Sequence, residues 1–140
     1  MDEPLTHELL KELLSAPDPH AYLEKHRVPA RVLSEYLQQL LDERGMIQSK
    51  VVQDARLNRT YGYEIFSGAK TNPARDKILA IALAMGLTLT EANRALQAAG
   101  KNELYCKNRR DVIIIYALEH GSTLQHANEV LYEFGEAIIE

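Results

Sequence analysis

Apolar residues recur at spacings of three and four along almost the whole chain, and no segment alternates convincingly with a period of two. This pattern predicts an all-α protein. Glycines at 86, 100, 121 and 135 fall where left-handed C-terminal caps are expected. The predicted helices cover about 5–14, 18–26, 29–44, 48–56, 59–67, 73–85, 88–99, 109–120 and 123–134.

An internal repeat links two of the predicted helical hairpins. Shifting residues 75–100 by 35 positions onto 110–135 gives 12 identities in 26 ungapped positions. Each copy predicts a two-helix hairpin that must stack on a neighbour, because it cannot bury its apolar face alone. We interpret the Arg-Asp pairs at 75–76 and 110–111 as helix-start and packing pairs. Asn93 and Asn128 are poor helix formers at equivalent positions, which indicates a repeated structural hydrogen bond.

The second hairpin carries an apolar set that must be covered by the first hairpin or by a second subunit. Residues 110–135 hold four acidic side chains and one arginine, so we expect this part of the chain to repel a polyanion. The hairpin is therefore predicted to be structural or dimer-forming. Its apolar residues are Ile113, Ile114, Ala117 and Leu118 in one helix, and Leu124, Ala127, Leu131 and Phe134 in the other.

The two short helices predicted at 48–56 and 59–67 suit a helix-turn-helix, in which the first helix braces on the DNA backbone and the second enters the major groove. Their contact is predicted to use Val51, Val52, Ala55 and Leu57 from the first helix and Ile65 and Phe66 from the second. The exposed positions of the second helix are then the predicted base-reading residues, which are Arg59, Thr60, Tyr63, Glu64 and Ser67.

The charge of this region is opposite in sign to that of the remaining chain. Residues 44–77 hold seven basic and three acidic side chains, a net +4, whereas the whole chain carries −4 and the remainder therefore −8. A polyanion-binding face is built by clustering charge, so an acidic protein can still bind phosphates with one surface. A solvated helix surface is the ordinary alternative for such charges.

The segment from about residue 33 to 96 resembles the phage-repressor and Cro-like (XRE-type) helix-turn-helix family of bacterial regulators. The resemblance rests on the run Ile65-Phe66-Ser67-Gly68, on Pro73, and on the apolar helix from Ile78 to Gly86. It implies a lambda-repressor-like bundle, here with an N-terminal helical extension and a C-terminal duplicated hairpin. Two residues depart from the family pattern: Arg56 stands in the inter-helix turn where glycine is common, and Gly62 lies inside the second helix.

The resemblance also implies roles for individual residues. Gln48 begins the bracing helix and could donate to a phosphate, while Arg59 and Thr60 open the recognition helix at its main base-reading positions. Glu64 and Ser67 lie one and two turns further along. Lys50 and Lys70 are predicted to contact phosphates, and Arg75 is a further phosphate candidate besides its packing role. Tyr61 is expected to pack towards Ile65. For Tyr63, packing and DNA contact are equal alternatives.

Other classes of function have little support in the sequence. We find no glycine-rich phosphate loop, no Ser/His/Asp grouping and no His or Cys spacing typical of zinc sites, so we expect no enzyme activity, cofactor or metal. No stretch approaches the roughly 18–20 apolar residues of a membrane helix, and the acidic N-terminus lacks signal-peptide features. The lone Cys106 suits a reducing compartment, so we expect a cytoplasmic protein.

The sequence therefore predicts one all-helical domain: an N-terminal extension (1–28), a helix-turn-helix core (29–100) and a repeated hairpin (101–140). We expect a bacterial-type transcription regulator that binds double-stranded DNA through 59–67, as a homodimer because one short recognition helix reads few base pairs. The alternative is an adaptor or antitoxin-like protein that retains the helix-turn-helix scaffold, has lost DNA binding and binds a protein partner through the C-terminal hairpin.

Overall fold

The computed structural model describes residues 6–21 and 32–140, and these residues are helical with no strand among them. The chain divides into two compact units, Met1–Ala30 and Arg31–Glu140. None of the described helices is long and apolar enough to cross a membrane. The first unit contains α1 (Thr6–Ser15), and the second contains α2 (Leu33–Arg44), α3 (Gln48–Asp54), α4 (Arg59–Ser67), α5 (Arg75–Met85), α6 (Leu89–Ala98), α7 (Arg109–Glu119) and α8 (Leu124–Glu133).

The predicted helix order is confirmed wherever the chain is described, with shifts of one to four residues at the ends. Helix α2 begins at Leu33 rather than Pro29, because Val32 has extended backbone angles. Most of the helix predicted at 18–26 lies outside the described residues. Within its described part, residues 19–21 are helical. Helix α6 begins with the predicted capping box, in which Thr88 Oγ1 accepts from the Glu91 N–H and the Glu91 carboxylate accepts from the Thr88 N–H.

Helix α5 lies at the centre of the second unit. Seven of its eleven residues are buried, and it packs on α3, α6, α7 and α8. A helix that is apolar on nearly all sides must be surrounded, and here α3, its hairpin partner α6 and the two helices of the second hairpin cover it. Helix α2 contributes a single stripe, Leu33, Tyr36, Leu37, Leu40 and Leu41, which it buries against α4 and α6.

The two repeats are joined by reciprocal ion pairs. Arg75 of the first repeat donates twice to the Asp111 carboxylate (3.1 and 2.9 Å), and Arg110 of the second donates twice to Asp76 (3.1 and 3.0 Å). Each arginine also donates to two backbone carbonyls of the extended segment that follows its own hairpin. The predicted packing role of the Arg-Asp pairs is confirmed, but each arginine pairs across the repeats.

The repeated asparagines hold the same two extended segments. Asn93 Oδ1 accepts from the Leu104 N–H at 2.9 Å, and Asn128 Oδ1 accepts from the Ile139 N–H at 2.8 Å. Leu104 and Ile139 are buried, and both lie eleven residues after their asparagine. The predicted structural hydrogen bond is therefore confirmed in both repeats.

Candidate nucleic-acid interface

Helices α3 and α4 pack together through the apolar residues that the sequence predicted. Val51, Val52 and Ala55 are buried on the α3 side, as are Ile65 and Phe66 on α4. Helix α4 also packs on α2, so its inner face is covered by two helices. Asn58 caps α4 by accepting from the Tyr61 N–H at 3.2 Å.

Gly62 lies where α4 approaches Val52 of α3 closely. A Cβ atom at this position would lie 2.6 Å from Cγ1 and 2.9 Å from Cγ2 of Val52, well inside van der Waals contact. The glycine that departs from the family pattern is therefore required by the close approach of these two helices. Glycine is less favourable than alanine in a helix by about 1 kcal/mol, but its lack of a Cβ allows the two helices to approach.

Arg56, in the connection between α3 and α4, has φ = 55° and is the one described non-glycine residue with positive φ. This is the strained turn that the sequence suggested, occupied by a bulky side chain. The turn is held by backbone hydrogen bonds from Arg56 N–H to Gln53 and from Leu57 N–H to Val52. The Arg56 guanidinium donates to Gln125 Oε1 of α8 at 3.3 Å, which joins the turn to the second repeat.

The five predicted base-reading residues of α4 share its outward face. The helical period of 3.6 residues places them within less than half of the helix circumference, opposite Ile65. Arg59, Thr60 and Ser67 are exposed, whereas Tyr63 and Glu64 are half-buried. Arg59 Cζ lies 5.4 Å from the centroid of the Tyr63 ring, one turn further along, so the ring and the guanidinium form a cation–π pair.

The two ends of α4 differ in their electrostatic surroundings. The Ser67 hydroxyl donates to the Glu64 carbonyl and accepts from the Ala69 N–H, so it is engaged in ending the helix. Beside it, a shallow groove between α2 and α4 is lined by three carboxylates, those of Glu35, Asp42 and Glu43. The N-terminal end of α4 instead carries Arg59 and follows Arg56. The cationic end is therefore the N-terminal one.

Three of the predicted phosphate-contacting residues lie beside α4. Gln48 Oε1 accepts from Gln38 Nε2 at 3.0 Å, and Gln38 also donates to the Phe66 carbonyl. Lys50 forms an exposed i,i+4 pair with Asp54 at 3.2 Å, and Lys70 Nζ lies 4.7 Å from the centroid of the Tyr61 ring. Sequence reasoning missed Gln38, because no local signal indicates that α2 bridges α3 and α4 through this amide.

Arg75 does not share this arrangement. Its guanidinium donates to both Asp111 oxygens and to the carbonyls of Asn102 and Glu103, which uses most of its donors inside the protein. The geometry does not support the phosphate role predicted for Arg75, because a guanidinium held by a buried carboxylate is already neutralised. The packing role remains.

Arg44 is a second cation of residues 44–77 whose charge is neutralised by a residue outside that range. It forms an ion pair with Glu91 of α6 and donates to the Gly86 carbonyl. Burial raises the pKa of Glu91, but the hydrogen bond from the Thr88 N–H and the Arg44 guanidinium outweigh it and hold the pKa below its ordinary value. The Glu91 carboxylate is thus ionised, and Arg44 serves the fold.

The charge that remains around the two short helices is smaller than the sequence count. From α3 to the loop after α4, residues 48–70, the chain carries four basic side chains (Lys50, Arg56, Arg59 and Lys70) against two acidic ones, a net +2.

Among the described residues, no group of three metal-ligating side chains comes together. No protein-family model, curated protein or solved structure matches this chain.

Proposed function

We propose that this protein is a bacterial-type transcription regulator that binds double-stranded DNA in a sequence-specific manner, with α3 and α4 acting as a helix-turn-helix of the lambda-repressor-like kind. The observation that carries the proposal is the outward face of α4. A short helix, buried on one side by α2 and α3, presents Arg59 and Thr60 at its N-terminal end beside exposed cations. Recognition helices place their N-terminal residues on base edges in this way.

The division of labour follows from the position of each side chain. Arg59 reaches guanine O6 and N7 with two donors, and the Tyr63 ring limits the positions that its guanidinium adopts. Thr60 and Glu64 follow on the same face. Because Gln48 accepts from Gln38 with its oxygen, its NH₂ group remains available to donate to a phosphate. The carboxylates beside Ser67 repel DNA phosphates from the α2 side of the C-terminal end of α4, which favours entry of the N-terminal end into the major groove. Lys70 contacts a phosphate from its position beside the Tyr61 ring.

Arg59→Ala is expected to weaken binding to the preferred site by about 1–3 kcal/mol and to relax preference at one base pair. The truncation removes the two-pronged contact but leaves the fold intact, since Arg59 is exposed. The preferred site is obtained by selection from random duplexes, and affinity is measured by fluorescence anisotropy. Arg94→Ala, which removes an exposed arginine of α6, is the matched control and should bind as the wild type does. Equal affinities for the Arg59 variant and the control would show that Arg59 does not contact the DNA.

Lys70→Ala is expected to weaken preferred and random duplexes by the same factor, because a phosphate contact carries no sequence information. The slope of log K against log salt should become shallower by about one unit. Titrations at several salt concentrations measure both quantities, and Lys107→Ala, which removes an exposed lysine between the repeats, is the control. A changed base preference with an unchanged slope would contradict the phosphate role.

One observation favours the alternative function, an adaptor or antitoxin-like protein without DNA binding. The C-terminal hairpin exposes an apolar groove that is suited to a protein partner, and the chain outside residues 44–77 is acidic. Retention on heparin together with a mobility shift on random duplex DNA supports the regulator. Failure of both at low salt favours the adaptor, because the basic face would then be inactive.

A further inference from the structure

An open groove lies between α7 and α8 on the outside of the second repeat. Its volume is about 290 Å³, and its lining is almost entirely apolar, with Val112, Tyr116, Val130 and Phe134 on its walls and Ser122 and His126 at its polar positions. Tyr116 and Phe134 are 64% and 54% exposed. Most of the apolar set predicted for this hairpin is covered by the first repeat, but this face is not.

The first repeat shows what the same face does when it is covered. Residues 35 positions earlier form the equivalent surface of α5 and α6, and there it is packed under α2 and α3. The equivalents of Tyr116, Ser122, Val130 and Phe134 are Ile81, Leu87, Ala95 and Ala99, and all four are buried. These four positions are therefore core in the first copy and exposed or half-buried in the second, although Tyr116, Val130 and Phe134 are larger than their buried equivalents. Val112, by contrast, corresponds to the half-buried Lys77.

We propose that this groove is the interface between two copies of the chain, which pair two-fold through α7 and α8. A single short recognition helix reads few base pairs, so the proposed function needs two-fold pairing. In that respect the interface rests on the proposed function. It also stands on its own geometry, which does not involve α4.

The exposed area suits the apolar centre of such an interface. An aromatic side chain buries roughly 150–250 Å², so Tyr116 and Phe134 together still expose roughly 180–300 Å². A standard interface buries about 800 Å² on each partner, of which the centre is apolar and the rim polar. Val112 and Val130 enlarge the centre, and the turns of the hairpin supply the rim.

The rim is compatible with pairing to a copy of itself. Both signs of charge border the groove: Arg109, which is 67% exposed, lies over the Phe134 ring at 5.9 Å and pairs with Glu136 at 3.0 Å, and His126 lies 3.6 Å from the Glu129 carboxylate. In a two-fold interface a residue i that contacts residue j is matched by j contacting i. A rim of mixed sign can therefore place opposite charges together, whereas a rim of one sign would repel its copy.

The test is the mass of the full chain in solution. The wild type should sediment as a dimer of about 32 kDa, twice the 15.8 kDa chain, across the micromolar range. Tyr116→Asp and Val112→Asp place a charge in the apolar centre and should each raise the dimer dissociation constant at least ~30-fold. Both positions are exposed, so circular dichroism melts should remain at the wild-type value at concentrations where the wild type is monomeric.

Tyr132→Asp is the matched control, because Tyr132 is an exposed aromatic residue of α8 that does not line the groove. It should leave the dimer unchanged. A wild type that sediments as one chain would overturn the proposal and assign the groove to a different partner. A dimer that survives both groove substitutions would overturn it as well, by placing the interface elsewhere.

DNA binding separates this inference from the proposed function. If the wild type is a groove-dependent dimer that does not shift DNA, the interface stands and the regulator fails. If the protein binds DNA equally well in the wild type and the Tyr116→Asp variant, and both have the mass of one chain, the regulator stands and the interface fails. When both hold, Tyr116→Asp should weaken binding to a palindromic site but leave binding to a single half-site unchanged.

Discussion

Replacing Asp111 with alanine is expected to destabilise the protein by about 3 kcal/mol, a large share of the 5–15 kcal/mol typical of a folded domain. Asp111 is 5% exposed and is the buried charged residue among those described. Its carboxylate accepts two hydrogen bonds from Arg75 and one from the Tyr105 N–H at 3.0 Å. Its removal leaves the half-buried Arg75 guanidinium without its counter-ion and the Tyr105 N–H without its acceptor, which costs more than the net value of the pair.

Urea unfolding followed by circular dichroism measures this loss. Asp76→Ala is the comparison within the same chain: it breaks the reciprocal pair with Arg110, but Asp76 is more exposed, so a loss of about 1–2 kcal/mol is expected. In a double-mutant cycle, Arg75→Ala combined with Asp111→Ala should cost less than the sum of the two single changes. A loss below about 0.5 kcal/mol for Asp111→Ala, or additive effects, would contradict the role given to the pair.

The partners in these ion pairs could not be predicted from the sequence. The repeat was visible in the sequence because identical residues recur at one period, and the helices were visible because their apolar spacing is local. The partner of Arg75 is 36 positions away, and its identity depends on how the two hairpins dock. No local pattern distinguishes a crosswise pair from one within a repeat, since the same Arg-Asp sequence occurs in both.

The candidate site was predictable to a similar degree. The outward face of α4 follows from helical geometry once Ile65 and Phe66 are assigned to the core. The local charge did not follow from counting, because Arg44 and Arg75 are neutralised by Glu91 and Asp111 from distant parts of the chain. Counting charges within a window treats every side chain as exposed, whereas tertiary contacts decide which cations remain available to bind phosphates.

Gly62 illustrates the opposite case, in which a residue that disagrees with the family pattern is explained by packing. Gly62→Ala is expected to destabilise the protein by about 2 kcal/mol, even though alanine is the better helix former by about 1 kcal/mol. The new Cβ would meet both γ-methyl groups of Val52, a buried β-branched side chain with little rotamer freedom. Either α4 must move away from α3 or Val52 must leave its rotamer, and both disturb the core.

The rescue of this defect tests its cause. In a Val52→Ala background the two methyl groups are absent, and the nearest remaining atom is the Cβ at position 52, 3.3 Å away. Gly62→Ala should then cost at least about 1 kcal/mol less than in the wild type, because the contacts at 2.6 and 2.9 Å are removed, a tight one at 3.3 Å remains, and the helix propensity of alanine is gained. Val51→Ala is the matched control: Val51 is equally buried in α3 but is not among the nearest neighbours of a Cβ at 62, so it should not rescue. Chemical unfolding of the six proteins, the wild type and five variants, gives all the differences. If the cost of Gly62→Ala is the same in the three backgrounds, the glycine serves something other than the contact between α3 and α4.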